Sequence, residues 1–202
     1  MRPVPLLTLS ATLTAILSAA TPPVIKAAEP VEITRLNECI QVRFLDRRSF
    51  GMARVAPVRR HGNLRTFVPE NPTERALVEQ MSGKELEVAV FLVGRQALPE
   101  SASGIGRAGP QGPASVTWNP DAALPEAAVL LSAGKKALKT IGEGKGYDIR
   151  SGEWTVAMRP LRASNEGCLG CHIYGAAASN GLAAPKLGEP LGVVMYVYRR
   201  HE

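Results

Sequence analysis

Five residues constrain this chain more than any other feature: Cys168-Leu169-Gly170-Cys171-His172. The pattern Cys-x-x-Cys-His is the attachment motif of a c-type haem. Two thiols add across the two vinyl groups of one porphyrin, and the spacing serves that reaction. A three-residue offset puts both sulfurs on one side of a helical turn. The imidazole that follows then reaches the iron as proximal ligand. Cys168 and Cys171 are therefore the candidate thioether anchors of one covalent haem c, and His172 is the candidate iron ligand. The chain holds three Cys and three His, so abundance of either residue does not account for the match.

Other uses of these thiols fit less well. A tetrahedral zinc site needs four ligands. Cys39, His61, His172 and His201 include no second CxxC or H-x-H pair to complete one. A thioredoxin-like dithiol follows a strand early in a βαβ unit, and nothing before the motif has that pattern. A structural disulfide usually closes a wider loop than two residues.

The N-terminal end agrees with the motif. Arg2 precedes an apolar run from Leu6 to Ala19, and small residues follow at Ser18-Ala19-Ala20 and Ala27-Ala28. This is the pattern of a secretory signal, assigned to residues 1–28. The run has 14 residues, short of the roughly 20 that span a bilayer, so a cleaved signal is expected rather than an anchor. Bacteria attach haem to this motif outside the cytoplasm. A periplasmic or otherwise exported protein follows.

Residues 29–202 are long enough for one domain with its own core. Aromatics make up 5% of the chain, so Val, Leu, Ile and Ala must build that core. A haem would add a large flat apolar body to it. The formal charge is +6, with Arg43, Arg47, Arg48, Arg54, Arg59, Arg60 and Arg65 crowded together. The basic stretch 43–65 offers weak contact with an anionic membrane surface or an acidic redox partner. A solvated helix face and loop is the plainer reading. No motif for nucleic acid is present.

Hydrophobic spacing sets out the elements. Ile33, Leu36, Ile40, Phe44 and Leu45 give 31–48 the period of an amphipathic helix. Residues 52–68 read as irregular or short extended segments around a Gly62-Asn63 turn. Asn71-Pro72-Thr73-Glu74 opens a second helix that stops at Gly83. Residues 87–93 have strand composition. The Gly/Pro-rich stretch 94–116 reads as one flexible surface loop. A third helix is expected over 124–141, weakened at Gly134. Residues 147–150 and 153–160 flank Ser151-Gly152 as a hairpin with one buried face. Residues 191–198 are apolar on both faces and read as a central strand. The fold class expected is α+β, with N-terminal helices on an antiparallel sheet and the haem motif between the hairpin and the final strand. Strands on both sides of the motif exclude the common helical cytochromes.

Met158-Arg159-Pro160-Leu161, the CxxCH run, and Lys186-Leu187-Gly188-Glu189-Pro190-Leu191-Gly192-Val193-Val194-Met195 together resemble a family. It is the c-type haem PAS-like domain family, exported single-CxxCH domains that also form the input region of bacterial sensor kinases. Pro69-Glu70-Asn71-Pro72-Thr73-Glu74-Arg75 is similar to a further segment of that family, and Cys39 stands where its members carry a cysteine on an early helix. The resemblance implies a PAS-like sheet and a redox or ligand sensor module working through a signalling partner.

The sixth iron position has several candidates: Cys39, His61, His201, Met52, Met81, Met158, Met195, water or nothing. Cys39 is the odd cysteine of an exported chain, and the resemblance favours it. Its plainer role is that of a small buried hydrophobe. Arg159 and Arg162 are candidate contacts for the haem propionates, because guanidinium matches carboxylate geometry. Trp154 and Tyr196 are candidates to pack on the porphyrin or simply core residues. The alternative to sensing is a small periplasmic electron-transfer cytochrome with a redox partner. No distal His/Arg pair stands at a motif-defined spacing, which argues against a peroxidase-like enzyme.

Overall fold

The computed structural model describes residues 28–47, 52, 58–61, 64–95, 110–141, 146–169 and 185–201, with backbone alone for 58–61 and 64. Residues 1–27 of the expected signal, together with Cys171 and His172, lie outside the described residues. Three helices are described: α1 (Val31–Asp46), α2 (Pro72–Gly83) and α3 (Ala127–Thr140). The strands are β1 (Val58–His61), β2 (Leu64–Phe67), β3 (Leu86–Gly94), β4 (Gln111–Ser115), β5 (Tyr147–Ser151), β6 (Trp154–Arg162) and β7 (Pro190–Arg200). They form one sheet in the order β1-β2-β4-β3-β7-β6-β5. The fold is α+β, as expected.

The sheet is mixed rather than wholly antiparallel. β4, β3, β7, β6 and β5 pair antiparallel throughout. β2 then joins β4 in parallel, through Arg65 with Ala114 and Thr66 with Ser115. A parallel pair needs a long crossover, and α2 and β3 supply it.

β3 divides the core by its alternation. Val88, Val90 and Leu92 face one cluster, with α1 and α2 over it. Ala89, Phe91 and Val93 face the other, covered by α3. β7 lies between β3 and β6, and Leu191 through Val197 are all buried. The central position read from its two apolar faces is therefore correct. β6 is buried on both faces too, since Ala157 lies in the first cluster and Trp154, Val156 and Met158 in the second. The one buried face expected of the hairpin holds for β5, where Asp148 and Arg150 are exposed and Tyr147 and Ile149 pack on the α3-side cluster; β6 departs from it because α1 covers the side on which Ala157 lies.

α1 buries Ile33, Leu36, Ile40 and Phe44, four of the five residues whose spacing predicted it, whereas the fifth, Leu45, is exposed. Each buried side chain contributes about 2 kcal/mol of transfer free energy. α2 begins where Asn71 Oδ1 accepts the Glu74 backbone N–H at 2.9 Å, and Pro72 occupies the first turn. α3 approaches the sheet closely at Gly134. A Cβ there would stand 2.8 Å from Val93 Cγ2, so the residue that weakens the helix also allows it to dock.

The stretch 94–116 is not one loop, because it contains β4. Gly112 and Pro113 masked that strand, since both residue types are depleted in strands. The ladder with β3 shifts register between Val90 and Leu92 at this point. Gly112 has φ +139°, and a Cβ on it would meet Val90 O at 2.8 Å.

Candidate functional site

The first half of the CxxCH run is built by the end of β6. After Arg162 the chain is held to the segment before β7: Ala163 N donates to Glu189 O at 3.0 Å, and Gly188 N to Ala163 O at 2.7 Å. A single helical turn follows over 166–169. Asn165 opens it, its Oδ1 accepting the Cys168 N–H at 3.1 Å. Short polar side chains favour this helix-opening position.

Cys168 is fully buried in the cluster on the α1 side of the sheet. Ala157, Leu161, Ala163, Leu191 and Tyr196 belong to the same cluster, and Leu169 packs against it. The Cys168 thiol therefore has an apolar setting.

Cys39 packs half-buried against the same cluster. Burial pushes its thiol up, the charge of Glu74 adds to this, and Arg43 opposes it. α1 is fixed over β6 and β7 by polar contacts on either side of Cys39. Tyr196 OH donates to Asn37 Oδ1 at 3.0 Å. Gln41 Nε2 donates to Asn37 Oδ1 at 3.2 Å and to Pro160 O at 3.0 Å. Tyr196 is fully buried, which holds its phenol far above the ordinary range. Asn37 and Gln41 were not singled out from sequence; their only signal was a polar pair one turn apart on an amphipathic helix.

The two arginines before the motif have different partners. Arg159 makes ion pairs with Glu29 and Asp148. Burial works against its charge, but the hydrogen bonds it donates to these carboxylates outweigh it and raise its pKa. Arg162 donates to two backbone oxygens instead, Gly188 O at 2.7 Å and Ile141 O at 3.1 Å. Among the described residues Arg162 has no carboxylate partner.

The other candidate ligands are scattered. Met158 and Met195 pair across β6 and β7 and lie in the α3-side cluster, opposite Cys168. Met52 and Met81 are buried in the α1-side cluster. His201 follows the far end of β7 and pairs with Glu87 at 3.1 Å. It is ten residues past Leu191, about 33 Å along an extended strand. His61 is on β1, at the far edge of the sheet. Trp154 belongs to the α3-side cluster, with Nε1 donating to Ala123 O and the Arg199 guanidinium 4.5 Å from its ring. Tyr196 is on the Cys168 side.

The basic stretch is less basic than its composition. Arg43 is buried and paired with Glu74, and Arg47 pairs with Glu70. No three His, Cys, Asp or Glu side chains gather as a metal-binding group among the described residues. No described helix is long and apolar enough to cross a membrane. The fold and site define an α+β protein with two cysteines, one buried and one half-buried, meeting one cluster on the same side of its sheet. Comparison with family models, curated proteins and solved structures gave no match.

Proposed function

We propose that this chain is an exported mono-haem c-type protein of PAS-like architecture that acts as a redox or ligand sensor module. One observation carries the reading: Cys168, the first cysteine of the CxxCH run, is buried in the cluster against which Cys39 packs. The strand order β4-β3-β7-β6-β5, antiparallel throughout, supports the PAS-like part. It is the order of a five-stranded sheet whose first and last strands lie side by side.

In this reading Cys168 and Cys171 would hold the haem through thioethers, and His172 and Cys39 would be its iron ligands. The bound haem would supply a reversible one-electron couple and, where the sixth position opens, a site for a small gas. The chain's own residues fix the frame. Asn165 starts the turn that carries Cys168, while Asn37 and Gln41 hold α1 against Tyr196 and Pro160. Arg162, bonded among the described residues to neutral carbonyls, is the better propionate partner. Arg159 is already engaged by two carboxylates.

Sensing is favoured over electron transfer because the basic docking face expected for a carrier is partly used within the chain, by Glu74 and Glu70. Mixing the reduced holoprotein with carbon monoxide or nitric oxide tests the choice. Rapid binding is expected for a sensor. Inertness towards both gases together with fast reversible reduction would contradict sensing and leave the electron carrier.

A further inference from the structure

We propose that the outward face of α1 is a self-complementary surface that docks antiparallel on the same helix of a second copy of this chain. Of the five exposed large apolar residues among those described, three are on α1: Val31 at 52%, Val42 at 57% and Leu45 at 42%. Val31, Arg35, Glu38, Val42 and Leu45 are all exposed. Their spacing of four, three, four and three residues is the seam of paired helices. It lies away from Ile33, Leu36, Ile40 and Phe44, which α1 buries in its own core. The outward stripe of a helix that serves one core is normally polar, so the second apolar stripe needs a second partner.

The charges in this stripe name the partner. Arg35 and Glu38 make no hydrogen bond or ion pair within the chain among the described residues. A second α1 turned antiparallel, with its Glu38 opposite Arg35, brings its Arg35 opposite Glu38 through the same two-fold axis. That register also sets Val31 against Val42 at both ends. Leu45 then lies over the chain that leads into the other helix. This is an isologous contact, in which one patch meets itself. A parallel pairing would set Arg35 against Arg35 and Glu38 against Glu38, and like charges facing each other select against it. The helix has 16 residues, about 24 Å of seam. So short an interface gives a dimer that depends on concentration. The proposal stands independently of the haem.

Sedimentation velocity of the purified protein over a concentration series tests it. The wild type is expected to dimerise reversibly, less so at high salt. Arg35→Glu alone and Glu38→Arg alone should each raise the dissociation constant about tenfold. The two together should restore it, which also shows that the single variants did not act by unfolding. A wild type that stays monomeric, single variants that associate like wild type, or a double variant that fails to recover would each overturn the proposal.

Discussion

Arg43 Nε on α1 donates to Glu74 Oε1 on α2 at 2.9 Å, and both side chains are 4% exposed. The pair binds the cysteine-bearing helix to its neighbour. Arg43 also donates to Val68 O at 2.8 Å and lies over the Phe67 ring, 4.1 Å from its centre. Glu74 Oε2 accepts the Glu70 backbone N–H at 2.7 Å. Removing one partner strands a charge in the core, so Glu74→Gln should cost about 3 kcal/mol in urea unfolding.

The same pair sets an acid limit. Burial alone would raise the Glu74 pKa, but hydrogen bonds from Arg43, Glu70 and Asn71 outweigh it, and the pKa is lowered. A lowered folded-state pKa gives stability that is present above the ordinary carboxylate range and lost as pH falls through the folded value. Wild type should lose stability below about pH 4, and Glu74→Gln should lose less over that interval. Equal acid slopes in urea titrations of the two proteins would refute the assignment.

Alkaline pH should act through tyrosine. Burial raises the Tyr198 phenol to about 12, with the charges of Glu29 and Asp148 adding to it. A raised pKa gives stability that is whole below the ordinary value near 10 and lost as pH climbs towards 12. Phenolate absorbance should show Tyr198 and Tyr196 ionising late and together with unfolding. Tyr198→Phe should reduce the alkaline loss.

Gly134 and Val93 should behave as a coupled pair. Gly→Ala in a free helix stabilises by about 1 kcal/mol. Here the added Cβ would stand 2.8 Å from Val93 Cγ2, and overpacking costs about 1–3 kcal/mol. Gly134→Ala should therefore lower the thermal midpoint. In a Val93→Ala background the same change should cost less or help. Equal effects in both backgrounds would remove the contact as the cause.

Cys39→Ala separates ligand from filler. Loss of a thiolate ligand should alter the ferric absorption spectrum and raise the midpoint potential, since thiolate favours ferric iron. An unchanged spectrum would remove Cys39 from the iron and leave it as a packing residue.

The elements with one strong period were legible in the sequence. Ile33, Leu36, Ile40 and Phe44 marked α1, Asn71-Pro72 marked the start of α2, and the unbroken apolar run after Leu191 marked a central strand. β4 was hidden because Gly112 and Pro113 oppose strand formation locally, and tertiary pairing with β3 overrides them. The parallel contact of β2 with β4 rests on residues about fifty apart, beyond any local pattern. Arg43 read as one of a basic crowd because burial is not visible in a charge run; its pairing with Glu74 required two helices to meet. At the site, Cys168 and Cys39 were legible as residue types, but the cluster they meet in was not.

The most direct measurement is acid-acetone extraction of the protein produced with a cytochrome c maturation system. Colour that stays with the polypeptide is the expected result, and Cys168→Ala with Cys171→Ala should abolish it. Colour that passes wholly into the solvent from the wild type would contradict covalent attachment at Cys168 and Cys171.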